Sequence, residues 1–201
     1  MAGESGERAD VREFLKTLPV TRNPHTGYDC TEGEWFYSPR AYPLYARAAE
    51  LIRPTSMLEI GAFLGFGLAS FVYGTGTIAR LTVVDTEYYM AGSLQACSDN
   101  LAFFSGEKRF LRSLEEARGE YDLIHVDGDH TFAGALHEMA FAWGLGPRVM
   151  LVNDYTFLED VRRATDAFAA HQSLPFKIWR TYRGWAVFAR PDTFATLPDA
   201  L

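Results

Sequence analysis

From residue 56 onward, short apolar runs alternate with longer stretches in which apolar residues recur every three or four positions. Apolar runs of strand length are typical of buried strands, and the longer spacing is typical of helices that pack on one face. The runs predict strands at SMLEI (56–60), RLTVVD (80–85), KRFLR (108–112), YDLIHVD (121–127) and RVMLVND (148–154). The intervening stretches predict helices over 64–74, 89–104, 132–143 and 158–171.

The C-terminal part departs from this alternation. Two strand-like runs, FKIWRTY and GWAVFAR, are joined tightly at Arg183-Gly184, which predicts an antiparallel hairpin. Repeated strand–helix units predict a mainly parallel sheet with helices on both faces. Together these patterns predict an α/β fold with a doubly wound, Rossmann-like sheet and a C-terminal antiparallel hairpin.

The N-terminal part follows no such alternation, so we divide the chain into an arm (1–50) and a main domain (51–201). Within the arm, VREFLKTL (11–18) predicts a short helix, and a second helix is predicted from Pro43 to Ile52, where Arg53-Pro54 ends it.

Three aromatic residues in a row, Trp35, Phe36 and Tyr37, lie in the irregular stretch 20–40 of the arm. Neither a half-buried strand nor one helix face explains three consecutive rings. The rings either pack the arm onto the core or cover a substrate as a lid, and the sequence leaves both interpretations open.

Composition excludes several classes of protein. Hydrophobic residues make up 48% of the 201 residues and charged residues 22%, the balance of one ordinary globular domain. Nineteen Lys and Arg against 26 Asp and Glu give a net charge of −7, so we expect neither nucleic acid nor an anionic membrane as a partner. No apolar run approaches the roughly 18 residues that span a bilayer.

Cysteine usage and the first residues favour a cytoplasmic protein. Cys30 and Cys97 match neither a CxxC nor a zinc-binding pattern. The segment MAGESGERAD is polar and mixed in charge, unlike a signal peptide. We therefore expect the reducing cytoplasm as the location.

A glycine-rich turn follows the first predicted strand, in the pattern E-x-G-x-x-x-G-x-G from Glu59 to Gly67. Gly61 permits a tight turn, and Gly65 lets the backbone approach a ligand at a helix start. Asp85 ends the second strand 24 residues beyond Gly61, where an acid is placed to bind ribose hydroxyls. The spacing differs from the dinucleotide pattern G-x-G-x-x-G, which disfavours NAD.

The segment LEIGAFLGFGLASF resembles the first motif of the class I S-adenosylmethionine-dependent methyltransferases, and the resemblance extends over about 56–190. It implies S-adenosylmethionine as the cofactor and 51–201 as the catalytic domain. The glycine turn would hold the methionine end, the second strand the ribose, and the residues after the third strand the adenine. The cofactor-binding residues implied are Glu59, Gly61, Ala62, Phe63, Gly65, Asp85, Thr86, Arg112, Ser113 and Asp127.

A second group of polar residues follows the fourth and fifth strands, in IHVDGDHTF and LVNDYTF. The ends of these strands are expected to be neighbours, which brings Asp127, Asn153 and Asp154 together. Two carboxylates and an amide oxygen suit a hard cation such as Mg²⁺. The alternative is that an aspartate only caps the following helix.

This group resembles the site of the metal-dependent O-methyltransferases of the catechol, caffeoyl-CoA and antibiotic-sugar types. The resemblance implies Asp127, Asn153 and Asp154 as metal ligands and His130 as the catalytic base, with Asp127 beside it. The predicted function is Mg²⁺-dependent O-methylation of a small molecule, either a natural-product sugar or a phenol. A homodimer is the expected oligomeric state. A metal-independent N- or C-methyltransferase and a non-catalytic nucleotide-binding module remain as alternatives.

Overall fold

The computed structural model describes residues 10–33, 36, 42–88 and 90–201. The strands in these residues are β1 (Ser56–Ile60), β2 (Arg80–Val84), β3 (Glu107–Leu111), β4 (Leu123–Val126), β5 (Val149–Val152), β6 (Lys177–Trp179) and β7 (Trp185–Ala189). The helices bounded by these residues are α1 (Val11–Leu15), α2 (Tyr42–Ile52), α3 (Phe66–Gly74), α4 (Ser93–Asn100), α5 (Phe132–Gly144), α6 (Glu159–Gln172) and α7 (Pro191–Phe194), with a 3-10 turn at Leu114–Glu116. None of the described helices is both long and apolar enough to cross a membrane.

The strands form one sheet in the order β3-β2-β1-β4-β5-β7-β6. The pairs among β1 to β5 are parallel, whereas β7 runs antiparallel to both β5 and β6. The winding direction reverses between β1 and β4, the position where ligands bind in open α/β sheets. The predicted fold class is confirmed, and so is the hairpin, in which Trp179 lies opposite Trp185.

Alternate residues of the central strands face two separate apolar layers. Met57 and Leu123 belong to a cluster with residues of α1–α4, while Leu58 and Ile124 belong to a cluster with residues of α5 and α6. Side chains alternate along a strand, so one run of buried residues supplies both layers. Helices therefore cover both faces, and the carboxyl ends of the strands carry the polar residues.

The described part of the N-terminal arm packs into the first of these layers. Leu15, Phe36 and Tyr42 are buried there, and the ring of Phe36 lies 5.5 Å from that of Tyr42. The side-chain amide of Asn100 exchanges two hydrogen bonds of 2.8 Å with the backbone of Val20. This part of the arm is thus held on the core.

The lid predicted from the aromatic row stays a prediction. Trp35 and Tyr37 lie outside the described residues. Phe36, the described member of the row, is fully buried, and its ring centroid lies 6.4 Å from that of Phe66 in α3. At Phe36 the packing interpretation therefore holds.

The turn at Gly61 offers a test of the fold. Gly61 has a φ of 82°, and a Cβ there would lie 2.1 Å from the carbonyl oxygen of Asp127. We expect Gly61→Ala to lower the free energy of unfolding by about 2–4 kcal/mol, because backbone strain and overpacking add. Urea denaturation measures the change.

The matched control is Gly76→Ala, where an added Cβ meets nothing within 4 Å. We expect its free energy of unfolding to change by less than about 1 kcal/mol. Equal losses in the two variants would show that the turn at Gly61 tolerates a side chain.

Candidate active site

The Asp85 carboxylate joins the two loops that follow β1 and β2. One of its oxygens accepts hydrogen bonds from the backbone N–H groups of Ala62 (3.1 Å) and Phe63 (3.0 Å). The other accepts from the backbone N–H of Glu87 (2.7 Å) and the hydroxyl of Ser93 (3.0 Å). A carboxylate offers about four lone-pair positions, so the chain itself engages all of them. Ribose binding by Asp85 stays a prediction, and a ribose hydroxyl would have to share these positions.

The loop between β1 and α3 has a left-handed backbone at three positions. These are Gly61 (φ 82°), Phe63 (φ 48°) and Gly65 (φ 78°), and Gly65 directly precedes α3. A Cβ on Gly65 would lie 2.6 Å from Sγ of Cys97, so the loop passes close to α4. Phe63 is 42% exposed, and Thr86, after β2, is also exposed.

Arg112 lies at the predicted adenine end of the site. Its side chain is 74% exposed, and its Nη1 lies 2.6 Å from Oε2 of Glu87. Both residues line a cleft of about 480 Å³ between α4 and β3, together with Gln95 and Phe110. Ser113 is not part of that lining, so the structure brings only one of the two predicted adenine-site residues to the cleft.

Glu59 is the one acidic residue of β1, and it is buried two residues before Gly61. It lies opposite His125 in the β1–β4 register, and its Oε1 is 2.9 Å from Nδ1 of that histidine. Burial raises the pKa of the Glu59 carboxyl, and the neighbouring His125 opposes this shift. His125 lies in the middle of β4 and is fully buried, so strand register decides which residue it meets.

Asp127, His130 and Asp154 come together at the carboxyl ends of β4 and β5. These strands are parallel neighbours, so the residues that follow them meet at one edge of the sheet. The Nε2 atom of His130 lies 3.4 Å from Asp127 Oδ1 and 3.7 Å from Asp154 Oδ2. One ligand atom of each residue lies within 4.8 Å of the others. We call these three residues the acidic cluster.

Asn153 lies beside Asp127 and Asp154, with its amide nitrogen toward them. Its Oδ1 accepts a hydrogen bond of 2.7 Å from the indole N–H of Trp185, and its Nδ2 donates to Asp127 (3.0 Å) and Asp154 (3.2 Å). An indole N–H only donates, which fixes the orientation of the amide. The amide oxygen is therefore turned away from the aspartates, and the role of Asn153 as a metal ligand stays a prediction. His130 joins the two aspartates.

Arg183 is a charged residue of the site that sequence analysis missed. Its Nη1 lies 3.3 Å from Oδ2 of Asp154, and its guanidinium lies 4.8 Å from the ring centroid of the exposed Phe157. The antiparallel β7 begins beside the end of β5, which carries the hairpin turn to the acidic cluster. The predicted hairpin signalled this position, since its turn contains Arg183.

Burial and mutual repulsion shape the charges of the acidic cluster. Burial raises the pKa of Asp154, the nearby Asp127 adds to the shift, and Arg183 opposes it. A hydrogen bond with Asp127 raises the pKa of His130. The cluster therefore favours a bound positive charge, whether a proton, a guanidinium or a metal ion.

The acidic cluster fits a divalent cation in the type and number of its donors. Two carboxylates and one imidazole suit Mg²⁺ less well than three oxygens do, yet all three are ordinary ligands of first-row divalent cations. Nε2 of His130 faces both aspartates, so it can either bind a metal ion or, when protonated, donate a hydrogen bond to a carboxylate. These two roles exclude each other at any one moment.

No protein-family model and no curated protein matches this chain, but solved structures do. The O-methyltransferase from Bacillus cereus, in complex with S-adenosylhomocysteine (SAH), has a TM-score of 0.63 at 13% identity, covering 90% of each chain. The O-methyltransferase TomG from Streptomyces achromogenes, in complex with S-adenosylmethionine and involved in tomaymycin synthesis, has a TM-score of 0.54 at 16% identity, covering 74% of this chain and 78% of that one. A candidate RNA methyltransferase from Pyrococcus horikoshii has a TM-score of 0.61 at 13% identity, covering 90% of this chain and 97% of that one.

These likenesses establish the class of fold. The chain has the fold of the class I S-adenosylmethionine-dependent methyltransferases, as the glycine turn and the strand order had indicated. Similar structures named for O-methylation and for RNA methylation share this fold. The acceptor must therefore be argued from the side chains of the site.

Glu138 of α5 provides a pH-dependent test of the site. Its Oε1 accepts a hydrogen bond from the backbone N–H of Asp129 (2.9 Å), and burial raises its pKa to about 7. The folded state then binds more protons than the unfolded state between about pH 4.5 and pH 7, so stability falls as the pH rises through this window.

We expect Glu138→Gln to remove this part of the pH dependence, because Gln keeps the acceptor and carries no charge. The variant should unfold at higher denaturant than the wild type at pH 8, with the difference shrinking toward pH 4.5. Exposed Glu32→Gln is the control and should leave the profile unchanged. Parallel pH profiles for wild type and Glu138→Gln would contradict the assignment.

Proposed function

We propose that this protein is an S-adenosylmethionine-dependent O-methyltransferase acting on a hydroxyl group of a small molecule. The observation that carries the proposal is the contact between the two candidate sites. The glycine turn that would hold the cofactor presses against the backbone of Asp127, whose side chain belongs to the acidic cluster. A methyl donor and a proton acceptor would therefore lie side by side.

Methyl transfer from the sulfonium requires no covalent bond between the protein and the substrate. Methyl transfer forms an oxygen–carbon bond, breaks the carbon–sulfur bond and turns the sulfonium into a neutral thioether. The acceptor hydroxyl must lose its proton and point along the methyl–sulfur axis. We assign the proton to the imidazole of His130, which is half-exposed, and we assign Asp127 the task of stabilising the imidazolium that forms, with its Oδ1 3.4 Å from Nε2.

A divalent cation, with Mg²⁺ as the first choice, would be held by Asp127 and Asp154. When bound, it would lower the pKa of a hydroxyl group and fix the direction of that group. Asp154 is well suited to hold it, because its side chain is 1% exposed and already set in place by Asn153 and Arg183.

Metal-independent methyl transfer, to oxygen or to N or C, is the second candidate, and one observation favours it. Arg183 and Asn153 already place N–H donors on the carboxylates that a cation would need. In that case Arg183 supplies the positive charge of the site.

A small acceptor is supported by the charge of the chain and by the surface near the acidic cluster. The net charge of −7 disfavours a nucleic-acid backbone as a substrate. The exposed rings of Phe157 and Tyr182 lie beside the Arg183 guanidinium, and exposed aromatic rings suit stacking against a phenol or a sugar ring. Cys30 and Cys97 are both buried and form no disulfide, which supports a cytoplasmic location.

Calorimetric titration with SAH, in Mg²⁺ and again in EDTA, tests the cofactor, with NAD as the control ligand. We expect micromolar binding of SAH in both buffers and no binding of NAD. Absence of SAH binding in both buffers would overturn the proposed function.

The requirement for a metal is tested by measuring how fast SAH forms from S-adenosylmethionine, with catechol-type phenols or sugars as acceptors. Loss of turnover in EDTA and its return with Mg²⁺ would support the first candidate. Turnover that EDTA leaves unchanged would support the second.

Paired substitutions test the division of the site. We expect Asp154→Asn to lower kcat by about 100-fold or more and to change the Kd for SAH less than twofold, because Asp154 serves the acceptor side. Asn tolerates the positive φ of 60° at this position. Asp85→Asn should weaken SAH binding at least tenfold, because it disturbs the loops after β1 and β2.

Calorimetry and steady-state kinetics on both variants give the comparison. Similar losses of SAH affinity in the two variants would refute separate cofactor and acceptor sides.

A further inference from the structure

The pair formed by Glu59 and His125 lies in the core rather than on the surface. The two residues face each other across β1 and β4, with Oε1 and Nδ1 2.9 Å apart. Their side chains are 4% and 0% exposed. Such a pair is a poor source of stability, because the cost of removing two polar groups from water offsets much of their attraction.

One oxygen of this carboxylate is left over. Oε2 of Glu59 is buried, and no hydrogen-bond donor among the described residues reaches it. Buried carboxylate oxygens without a partner are rare and costly. An unused acceptor on the residue two positions before Gly61 therefore points to a donor that arrives with a ligand.

The imidazole of His125 is held in place by three aromatic rings. Tyr45 of α2, Phe71 of α3 and Trp185 of β7 have ring centroids 5.5, 5.4 and 5.9 Å from it. Each contacts it in a tilted, edge-on arrangement, so the ring has little room to rotate. With Glu59 as a carboxylate, Nδ1 carries the proton and donates to Oε1.

We propose that His125 is a positioning residue for the amino-acid end of the cofactor: it occupies Oε1 of Glu59 and thereby presents Oε2 to the α-ammonium group. This inference rests on the proposed function. An ammonium group has three donors and no acceptor, which matches an unpartnered carboxylate oxygen. His125 itself touches neither the cofactor nor the acceptor in this scheme.

The test compares SAH with 5′-methylthioadenosine, which keeps the adenosine and the thioether but lacks the amino-acid part. We expect His125→Leu to weaken SAH binding at least tenfold and to change 5′-methylthioadenosine binding less than twofold. His125→Asn, which keeps a donor near the position of Nδ1, should recover most of the SAH affinity. A merely structural role would weaken both ligands alike.

A second pair of variants checks that His125 acts through Glu59. We expect Glu59→Gln to show the same selective loss of SAH affinity, and His125→Leu to add less than a further twofold in the Glu59→Gln background. If His125→Leu does not fold, His125→Asn in the two backgrounds gives the same comparison, with a smaller loss for SAH and none for 5′-methylthioadenosine.

Two outcomes separate the inference from the function beneath it. Equal losses for the two ligands, or unchanged SAH affinity in His125→Leu, would overturn the role of His125 while leaving the proposed function intact. A wild-type protein that binds neither ligand would overturn the proposed function itself.

Discussion

The close approach of the turn after β1 to the backbone after β4 is the contact on which the two candidate sites depend. Gly61 has no side chain, so its backbone lies against the carbonyl of Asp127, and hydrogen bonds of 2.8 Å continue the ladder on both sides, from Gly61 to Val84 and from Asp127 to Ile60. Any side chain at this glycine would separate the glycine turn from the acidic cluster. Under the proposed function, the methyl donor and the acceptor would then lie farther apart.

Trp185 connects the buried pair of Glu59 and His125 with the partly exposed acidic cluster. The ring of Trp185 packs against His125, and its indole N–H fixes the amide of Asn153 between the two aspartates. The hairpin thus belongs to the site as much as the parallel strands do. It supplies Trp185 to the interior and Arg183 to the surface of the acidic cluster.

The charges of the site are balanced mainly by neighbours and not by solvent. Asp154 is almost wholly buried beside Arg183 and His130, and Glu59 is buried beside His125. Buried ion pairs contribute little to stability compared with apolar packing, so these pairs are a weak source of folding free energy. Among the described residues no donor reaches Oε2 of Glu59, which leaves this oxygen available to a ligand.

The sequence by itself determined the elements and the fold class, because the period of apolar residues and the glycine turn are local properties of the chain. It also placed Asp127, His130 and Asp154 directly after β4 and β5, and the edge of a parallel sheet brings such positions together. Only the tertiary structure decided the orientation of Asn153, the arrival of Arg183 and the pairing of Glu59 with His125. Each of these depends on a partner far away in sequence, and hydrogen-bond direction and strand register are set by packing rather than by local pattern.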